Sequence, residues 1–392
     1  MSQHYRNLDL VVYGATGFTG TLVAEYLARS GPRELRWALA GRNLKKLEAV
    51  RDALPKDTGV PAPSLIEADA TDPASLAKMA KQTQVVLTTV GPYLAYGEPL
   101  VAACVEQATD YVDLTGEPPF VDKMTAKYHE AARLKGVRIV PCCGFDSIPH
   151  DMGVLYTMNK LKPTGAATVE GFVSARGTFS GGTLHSALGI MEGAGGIMAK
   201  YRRLEGEGIR EGKRRIRYAP LRVRFEKRIK GWTAPLMTID PEVVLRSAQL
   251  LPEYGPDFRY AHYARTKSAL TIGVMGIGLG AMVGLAQFSG TRALLGKIKS
   301  PGDGPSAEER AKGWFKVRFI GESDGRVVQT QVTGGDPGYT DTAKMISEAA
   351  LSLAFDRDKL APHIGLVTPA SGIGNVLFGR LERAGIHFSE IS

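Results

Sequence analysis

The sequence predicts two kinds of architecture in one chain: an α/β unit on a doubly wound parallel sheet, then an α+β unit with a mostly antiparallel sheet. Three observations carry this. Apolar strand-like runs alternate with amphipathic helical stretches from Leu10 to Val140, and a glycine-rich turn joins the first strand to the first helix. Beyond that point the pattern changes to longer strands with one apolar and one charged face, two of them joined by Ser323-Asp324-Gly325. Repeated strand–helix alternation implies right-handed crossovers and a parallel sheet covered on both faces, the Rossmann arrangement.

In the first half, strands are expected at Leu10–Tyr13, Leu35–Ala40, Ser64–Glu67, Val85–Val90, Tyr111–Leu114 and Val137–Val140. The intervening stretches carry apolar residues at three- and four-residue spacing, such as Leu22, Tyr26 and Leu27, or Val121, Met124 and Tyr128. Asp72-Pro73 reads as an N-cap followed by proline at the first helical position. Gly31 and Gly136 fall where helices should stop. The dense polar and glycine segment Pro141–Asp151 ends the alternation and marks a junction. Residues 1–145 are therefore read as a dinucleotide-binding domain, 146–338 as a substrate-facing α+β domain, and 339–392 as a C-terminal segment returning to the first.

In the second half, Thr168–Ser174, Leu221–Ile229, Trp314–Ile320 and Arg326–Val332 read as strands. Phe315, Val317 and Phe319 share one face, and Lys316 and Arg318 the other. The Ser-Asp-Gly turn makes a hairpin of the last two, and a sheet with one wet face fits. Thr183–Arg203 reads as a helix broken by glycines, Pro301–Pro305 as a loop, and Thr340–Phe355 as an amphipathic helix.

The turn Gly14-Ala15-Thr16-Gly17-Phe18-Thr19-Gly20 has the strand before it and the helix after it that a diphosphate site requires. Glycines let the backbone approach the phosphates, and the helix N-terminus offers N–H groups and a positive dipole end. The second strand ends at Gly41-Arg42-Asn43. An acid there would suit a ribose 2′-hydroxyl, whereas Arg42 suits a 2′-phosphate, so the expected cofactor is NADP(H). A solvated turn residue is the alternative reading of Arg42. Asp69-Ala70 should border the adenine, and Val90-Gly91-Pro92 should lie by the nicotinamide, because ligands sit at the carboxyl ends of the strands.

Composition sets outer limits. The chain has 392 residues, 44% hydrophobic and 23% charged, which is ordinary for globular domains. The Met1 end is polar, so a secretory leader is not expected and a cytoplasmic location is. Cys104, Cys142 and Cys143 make neither a disulfide framework nor a metal set, and no metal is expected. Net charge is +9, and Lys200–Lys230 alone holds thirteen Lys or Arg against four Glu. Such a patch attracts anions: acidic lipid or an acidic carrier protein, since no nucleic-acid motif accompanies it. An exposed face with solvated charges is the alternative. Ala269–Phe288 has no charge and contains Gly276, Gly280 and Gly284 at helix-packing spacing. A hairpin, an interface-seated element or a buried lid is preferred to a span, because strands that could share one sheet flank it. Segments 200–230 and 269–288 together supply two signals for peripheral attachment to the inner face of the plasma membrane. A homodimer is compatible with the sequence.

GATGFTG with AGR, VGPYLAYGEPLVAACVEQATDYVDLTGE, GFDSIPHD and LVTPASGIGNVLFGRLERAGIHF together resemble the saccharopine dehydrogenase-like oxidoreductases, most nearly the actinobacterial trans-acting enoyl reductases. The resemblance covers nearly the whole chain. It implies an NADPH-dependent reduction of a polyketide or lipid intermediate, held as an acyl chain on a carrier protein. His150 departs from the small polar residue expected there, so the resemblance supports no acid–base role for it.

Enoyl reduction needs hydride delivery to the β-carbon, stabilisation of an enolate oxygen and a proton for the α-carbon. Tyr93 and Tyr96 follow the fourth strand and are candidates for either polar task. Asp146, Ser147, His150 and Asp151 on the junction are candidates to orient substrate or relay a proton, with Asp113 and Glu117 as further cleft residues. Each has a plainer alternative: Tyr93 packing on a ring, Asp146 or Asp151 capping a helix, His150 exposed at a helix start. Reduction of an imine or ketone, and a non-catalytic NADP-binding lipid-associated role, are the rival functions on the same fold.

Overall fold

The computed structural model describes residues 6–177, 194–236, 238–273 and 304–391. The chain forms two compact units: Met1–Ile148 with Tyr339–Ala384, and Pro149–Gly338 with Gly385–Ser392.

In chain order, the first unit begins β1 (Leu8–Tyr13), α1 (Phe18–Ser30), β2 (Trp37–Gly41), α2 (Leu44–Ala53), β3 (Ser64–Glu67), α3 (Pro73–Ala80), β4 (Thr83–Thr88), α4 (Tyr93–Glu106), β5 (Asp110–Val112), α5 (Pro118–Lys135) and β6 (Arg138–Val140). Next come α6 (Ile148–Leu161), β7 (Ala166–Arg176), α7 (Ala194–Gly206), β8 (Ile209–Glu211), β9 (Arg214–Tyr218), β10 (Arg224–Glu226) and β11 (Gly231–Pro235). The same region continues through α8 (Asp240–Leu250), β12 (Asp257–Thr266), α9 (Ala307–Ala311), β13 (Trp314–Ser323) and β14 (Arg326–Gly334). The chain then returns to the first unit as α10 (Thr340–Phe355), β15 (Gly365–Leu366) and α11 (Val376–Arg383), before β16 (His387–Glu390) ends it.

The first unit is a seven-stranded sheet in the order β15-β6-β5-β4-β1-β2-β3. Its neighbours pair parallel throughout, for example Val11 beside Val86 and Ala38. The strands are apolar because both faces are covered; Val11, Ala38, Val86, Tyr111 and Ile139 meet Leu100, Phe120 and Met124 in one core. Asp72 caps α3 by accepting from the Ala74 N–H at 3.0 Å, with Pro73 in the first turn. Gly136 ends α5 in the left-handed region at φ 72°. Helix α10 has the expected bounds but is buried on more of its surface than an amphipathic pattern suggests. Its Glu348 accepts from Tyr26 Oη at 2.6 Å and pairs with Arg380 at 3.2 Å, so packing on α1 and α11 replaces solvent.

The second unit carries a nine-stranded mixed sheet, β10-β11-β12-β7-β13-β14-β16, with β9 also on β12 and β8 on β9. Among the described residues only β12–β7 and β12–β9 pair parallel in this sheet. The β13–β14 hairpin turns at Asp324-Gly325, both at positive φ. Three expectations change here. The run Leu221–Ile229 is a strand only over Arg224–Glu226, because the chain turns at Lys227–Lys230 to make the β10–β11 hairpin. Strand β12, near the centre of the sheet, lies where no strand was expected. The segment 339–392 does not stay together, because β16 pairs with β14 in the second unit. The expectations for 183–193, for 301–303 and for most of the apolar run 269–288 lie outside the described residues.

Candidate functional site

The glycine turn is shaped for close approach. Gly14 has φ 90°, and a Cβ there would stand 2.7 Å from Val90 Cγ2 and 2.9 Å from Thr89 Oγ1. A Cβ on Gly20 would stand 2.2 Å from the Gly14 carbonyl oxygen. Glycine is thus required at both ends, once for the left-handed turn and once for helix-against-strand packing. Gly17 opens α1 with no side-chain cap. Ala15 is buried while Thr16 and Gly17 are exposed, so the head of α1 can receive an anion. Phe18 packs edge-on against Tyr339 at 4.9 Å, and Thr19 is half-buried.

At the end of β2, Gly41 is buried and Arg42 is exposed. The adjacent Asn43, not Arg42, caps α2 by accepting from the Lys46 N–H at 3.0 Å, which leaves the guanidinium available. Asp69 accepts from the Thr71 N–H and hydroxyl at 2.9 and 2.8 Å; these bonds, with a smaller contribution from Arg42, hold its carboxyl below the usual range. Arg42 and Asp69 therefore feel one another across the ends of β2 and β3. Ala70 and Val90 are half-buried, and Gly91 and Pro92 are exposed and joined by a cis bond. These residues lie at or after the carboxyl ends of β1, β2, β3 and β4, the edge of a parallel sheet at which ligands are bound.

Beyond β4 the candidate polar residues separate. Tyr93 is 6% exposed; its hydroxyl donates to the Thr88 carbonyl at 3.3 Å and accepts from the Leu114 N–H at 3.1 Å. Its ring meets Phe120 at 5.8 Å, and burial pushes its ionisation far above the ordinary tyrosine range. Tyr93 is a packed strut in this structure. Tyr96, one helical turn on, is 46% exposed. Glu117 is buried and accepts from the Tyr93 and Leu94 N–H groups at 3.1 and 2.8 Å, capping α4 rather than facing a ligand. Asp113 accepts from Tyr111 Oη at 2.8 Å and from the Thr115 and Cys142 N–H groups at 2.9 Å each, pinning β5 to the strand beside it. Asp146 is exposed, and Ser147 is fully buried at φ 149° with no hydrogen-bond partner for Oγ among the described residues.

His150 is not exposed at a helix start. It is 2% exposed, in the first turn of α6. Its Nδ1 lies 2.7 Å from Asp240 Oδ1, and its ring meets that of His262 edge-on at 4.8 Å. His262 Nε2 stands 3.7 Å from Asp240 Oδ2, and its Nδ1 is 3.0 Å from Tyr260 Oη. Burial, reinforced by His150, holds the His262 imidazole well below its ordinary range and so neutral. Asp151 accepts from Ser247 Oγ at 2.5 Å, an internal tie.

The saccharopine dehydrogenase NADP binding domain model matches residues 10–140. A Mycobacterium tuberculosis protein provisionally named a trans-acting enoyl reductase is 40% identical over 97% of each chain. The trans-acting enoyl reductase of Mycobacterium ulcerans is 34% identical over 98% of each chain. The human saccharopine dehydrogenase-like oxidoreductase is 35% identical over 100% of this chain and 99% of its own. The chain belongs to the saccharopine dehydrogenase-like oxidoreductase family. Among solved structures, apo saccharopine dehydrogenase (L-Glu forming) from Saccharomyces cerevisiae shares the fold, with TM-score 0.56 over 98% of this chain and 100% of its own at 12% identity. This saccharopine dehydrogenase-like oxidoreductase binds NADP(H), and the cradle around Gly14 and Gly20 suits that cofactor.

The basic segment of this oxidoreductase is less basic in three dimensions than along the chain. Lys200 pairs with Glu242 at 2.7 Å, Arg217 with Asp257 at 2.8 Å, and Arg224 with Glu170 at 2.8 Å. Arg228 pairs with Glu226 at 2.9 Å and also with Glu322. Arg214 donates to the Ala248 and Leu251 carbonyls at 2.7 and 2.9 Å, closing the C-terminal end of α8. Arg202, Arg203, Arg210, Lys213, Arg222, Lys227 and Lys230 have no ionic partner among the described residues and are exposed. Among the described residues no helix is long and apolar enough to cross a membrane.

Sequence reasoning missed Asp240, Tyr260 and His262. The signal was present in Asp257-Phe-Arg-Tyr-Ala-His-Tyr, where Phe258, Tyr260 and His262 alternate with Arg259 and Ala261 as a half-buried strand does.

Proposed function

We propose that this oxidoreductase is an NADPH-dependent trans-acting enoyl reductase that reduces a C=C bond in a polyketide or lipid acyl intermediate presented by a carrier protein. The single observation that carries the reading is full-length similarity, 34–40% identical, to proteins bearing that name. When bound, NADPH supplies the hydride.

In this reading the Gly14–Gly20 turn and the head of α1 hold the diphosphate, Arg42 takes the 2′-phosphate, and Gly91-Pro92 borders the nicotinamide. Tyr93 is committed to the Thr88 and Leu114 backbone, so in this reading the exposed Tyr96 hydroxyl is the one that donates to the enolate oxygen. Asp146, exposed after β6, orients the substrate. Ser147, at positive φ with an unpartnered hydroxyl, marks a strained turn of the kind found beside ligands. The free cations of residues 202–230 contact an anionic surface, either the acidic carrier protein or acidic lipid.

The test follows NADPH absorbance while the enzyme is offered an enoyl thioester on a carrier protein, and separately an imine and a ketone. Oxidation with the enoyl thioester, slowed in Tyr96→Phe with NADPH affinity unchanged, supports the reading. Turnover confined to the imine or ketone overturns it.

A further inference from the structure

Unit two buries a cluster of three titratable side chains. His150, Asp240 and His262 come from α6, α8 and β12, and each is at most 2% exposed. One nitrogen from each imidazole and one carboxylate oxygen lie within 4.8 Å of one another. His262 Nε2 is fully buried with no hydrogen-bond partner among the described residues and stands 3.7 Å from Asp240 Oδ2, while Asp240 Oδ1 faces His150 Nδ1 at 2.7 Å. Holding the His262 nitrogen out of water without a partner costs free energy that a bound ion would offset.

We propose that His150, Asp240 and His262 form a three-ligand site for a divalent transition-metal ion, zinc being the ion that suits it best. Two imidazoles and a carboxylate are the donor set of open zinc sites, with a further position left for water or another ligand. Ligand atoms around a tetrahedral zinc stand about 3.3 Å apart, given bonds of about 2.0–2.1 Å. In the cluster His150 Nδ1 is 2.7 Å from Asp240 Oδ1 and His262 Nε2 is 3.7 Å from Asp240 Oδ2, with one ligand atom from each residue within 4.8 Å of the others, so modest side-chain adjustment would bring them to that spacing. The surroundings also match, because metal-bound histidine usually gives its other ring nitrogen to an oxygen that fixes its orientation. Here Tyr260 Oη is 3.0 Å from His262 Nδ1, and Thr238 donates to Asp240 Oδ2. His262, with its partner Tyr260 and with Thr238, also lines a pocket shared with Tyr201, Tyr218 and Glu242, so one of the three ligands borders a cavity. Zinc would tie the head of α6, the head of α8 and β12 together.

The experiment uses the full chain, stripped with chelator and titrated with zinc alone, then with cobalt as a spectroscopic stand-in. The expected result is one equivalent bound, with cobalt showing visible bands of a nitrogen–oxygen site and no thiolate charge-transfer band. Asp240→Asn should weaken zinc more than about 100-fold, beyond the 10–100-fold typical of changes outside the ligand set, and Tyr260→Phe should fall within that lower range. NADPH affinity serves as the check that each variant is folded. Should the variants fail to fold, anomalous scattering at the zinc edge from soaked wild-type crystals gives the answer: a peak between the three side chains. No uptake, a thiolate band from Cys104, Cys142 or Cys143, or a peak only at surface histidines overturns the proposal. None of these readouts depends on turnover, so they stand apart from the enoyl reductase reading.

Discussion

The Glu117 carboxylate accepts the Tyr93 N–H at 3.1 Å, so an acid from the loop after β5 closes the head of α4. It also takes the Leu94 N–H, which makes it an N-terminal cap supplied from a distant part of the chain. This bond fixes the rotation of α4: Tyr93 turns inward onto Phe120 and Tyr96 turns outward. Removing the carboxylate in Glu117→Ala strands a buried N–H and the positive end of the helix, at a cost of about 2–3 kcal/mol. Thermal unfolding without cofactor should show the loss, with Glu117→Gln recovering part of it because one acceptor remains. An unchanged midpoint in the alanine variant would mean that the cap adds nothing.

Arg42 is expected to decide between the two nicotinamide dinucleotides. It stands exposed at the end of β2, and Asn43 does the capping that might otherwise occupy it. Charge-assisted hydrogen bonds to a phosphate are worth about 1.5–3 kcal/mol, so Arg42→Ala should cut NADPH affinity about 10- to 100-fold and leave NADH nearly as before. Calorimetry on both cofactors measures this. Equal NADPH and NADH affinity in the wild type would refute the assignment.

Asp113 gives a pH signature. Burial pushes its carboxyl up to about 6, against the hydrogen bonds from Thr115, Cys142 and Tyr111 that pull it down. The folded chain thus holds this proton more tightly than the unfolded chain does. The stabilisation that follows is complete below about pH 4 and is lost as pH rises through 6, amounting to about 3 kcal/mol by neutrality. Asn at this position keeps an acceptor for the Thr115 and Cys142 N–H groups without the charge. Urea unfolding should therefore show Asp113→Asn gaining on wild type between pH 4.5 and 7.5. A difference between the two that does not vary with pH removes Asp113 as the source.

The parallel sheet was legible because strands covered on both faces are continuous apolar runs, as Leu10–Tyr13 and Val85–Leu87 are. The glycine turn was legible because its requirements are local: Gly14 and Gly20 are separated by a single turn and its helix start. What failed was whatever depends on distant partners. Asp257 and Arg259 make the start of β12 look like a loop, until Arg217 on the adjacent strand is seen to share Asp257 with Arg259. The cluster of His150, Asp240 and His262 draws on three separate elements, so no spacing rule could join them. Local charge counting failed for the same reason: Glu170, Glu242, Asp257 and Glu322 all lie outside the basic segment they neutralise.

The cations left over define where an anionic partner should bind. Arg210 and Lys213 flank the β8–β9 turn at Gly212, which has φ 59°. Arg222, Lys227 and Lys230 lie close in sequence to Val223 and Phe225, which are 56% and 51% exposed. Exposed apolar side chains among unpaired cations suit a surface that is both acidic and partly apolar. Vesicles containing acidic lipid should retain the protein at low salt and release it at high salt, since exposed charges are screened within about 10 Å at 0.1 M. Arg210→Glu with Lys213→Glu should abolish retention, whereas Arg228→Glu should act through stability, because Arg228 is already held by Glu226 and Glu322. Binding to an acidic carrier protein with none to vesicles would assign the same cations to substrate delivery. Retention indifferent to salt and to lipid charge would exclude these residues from either role.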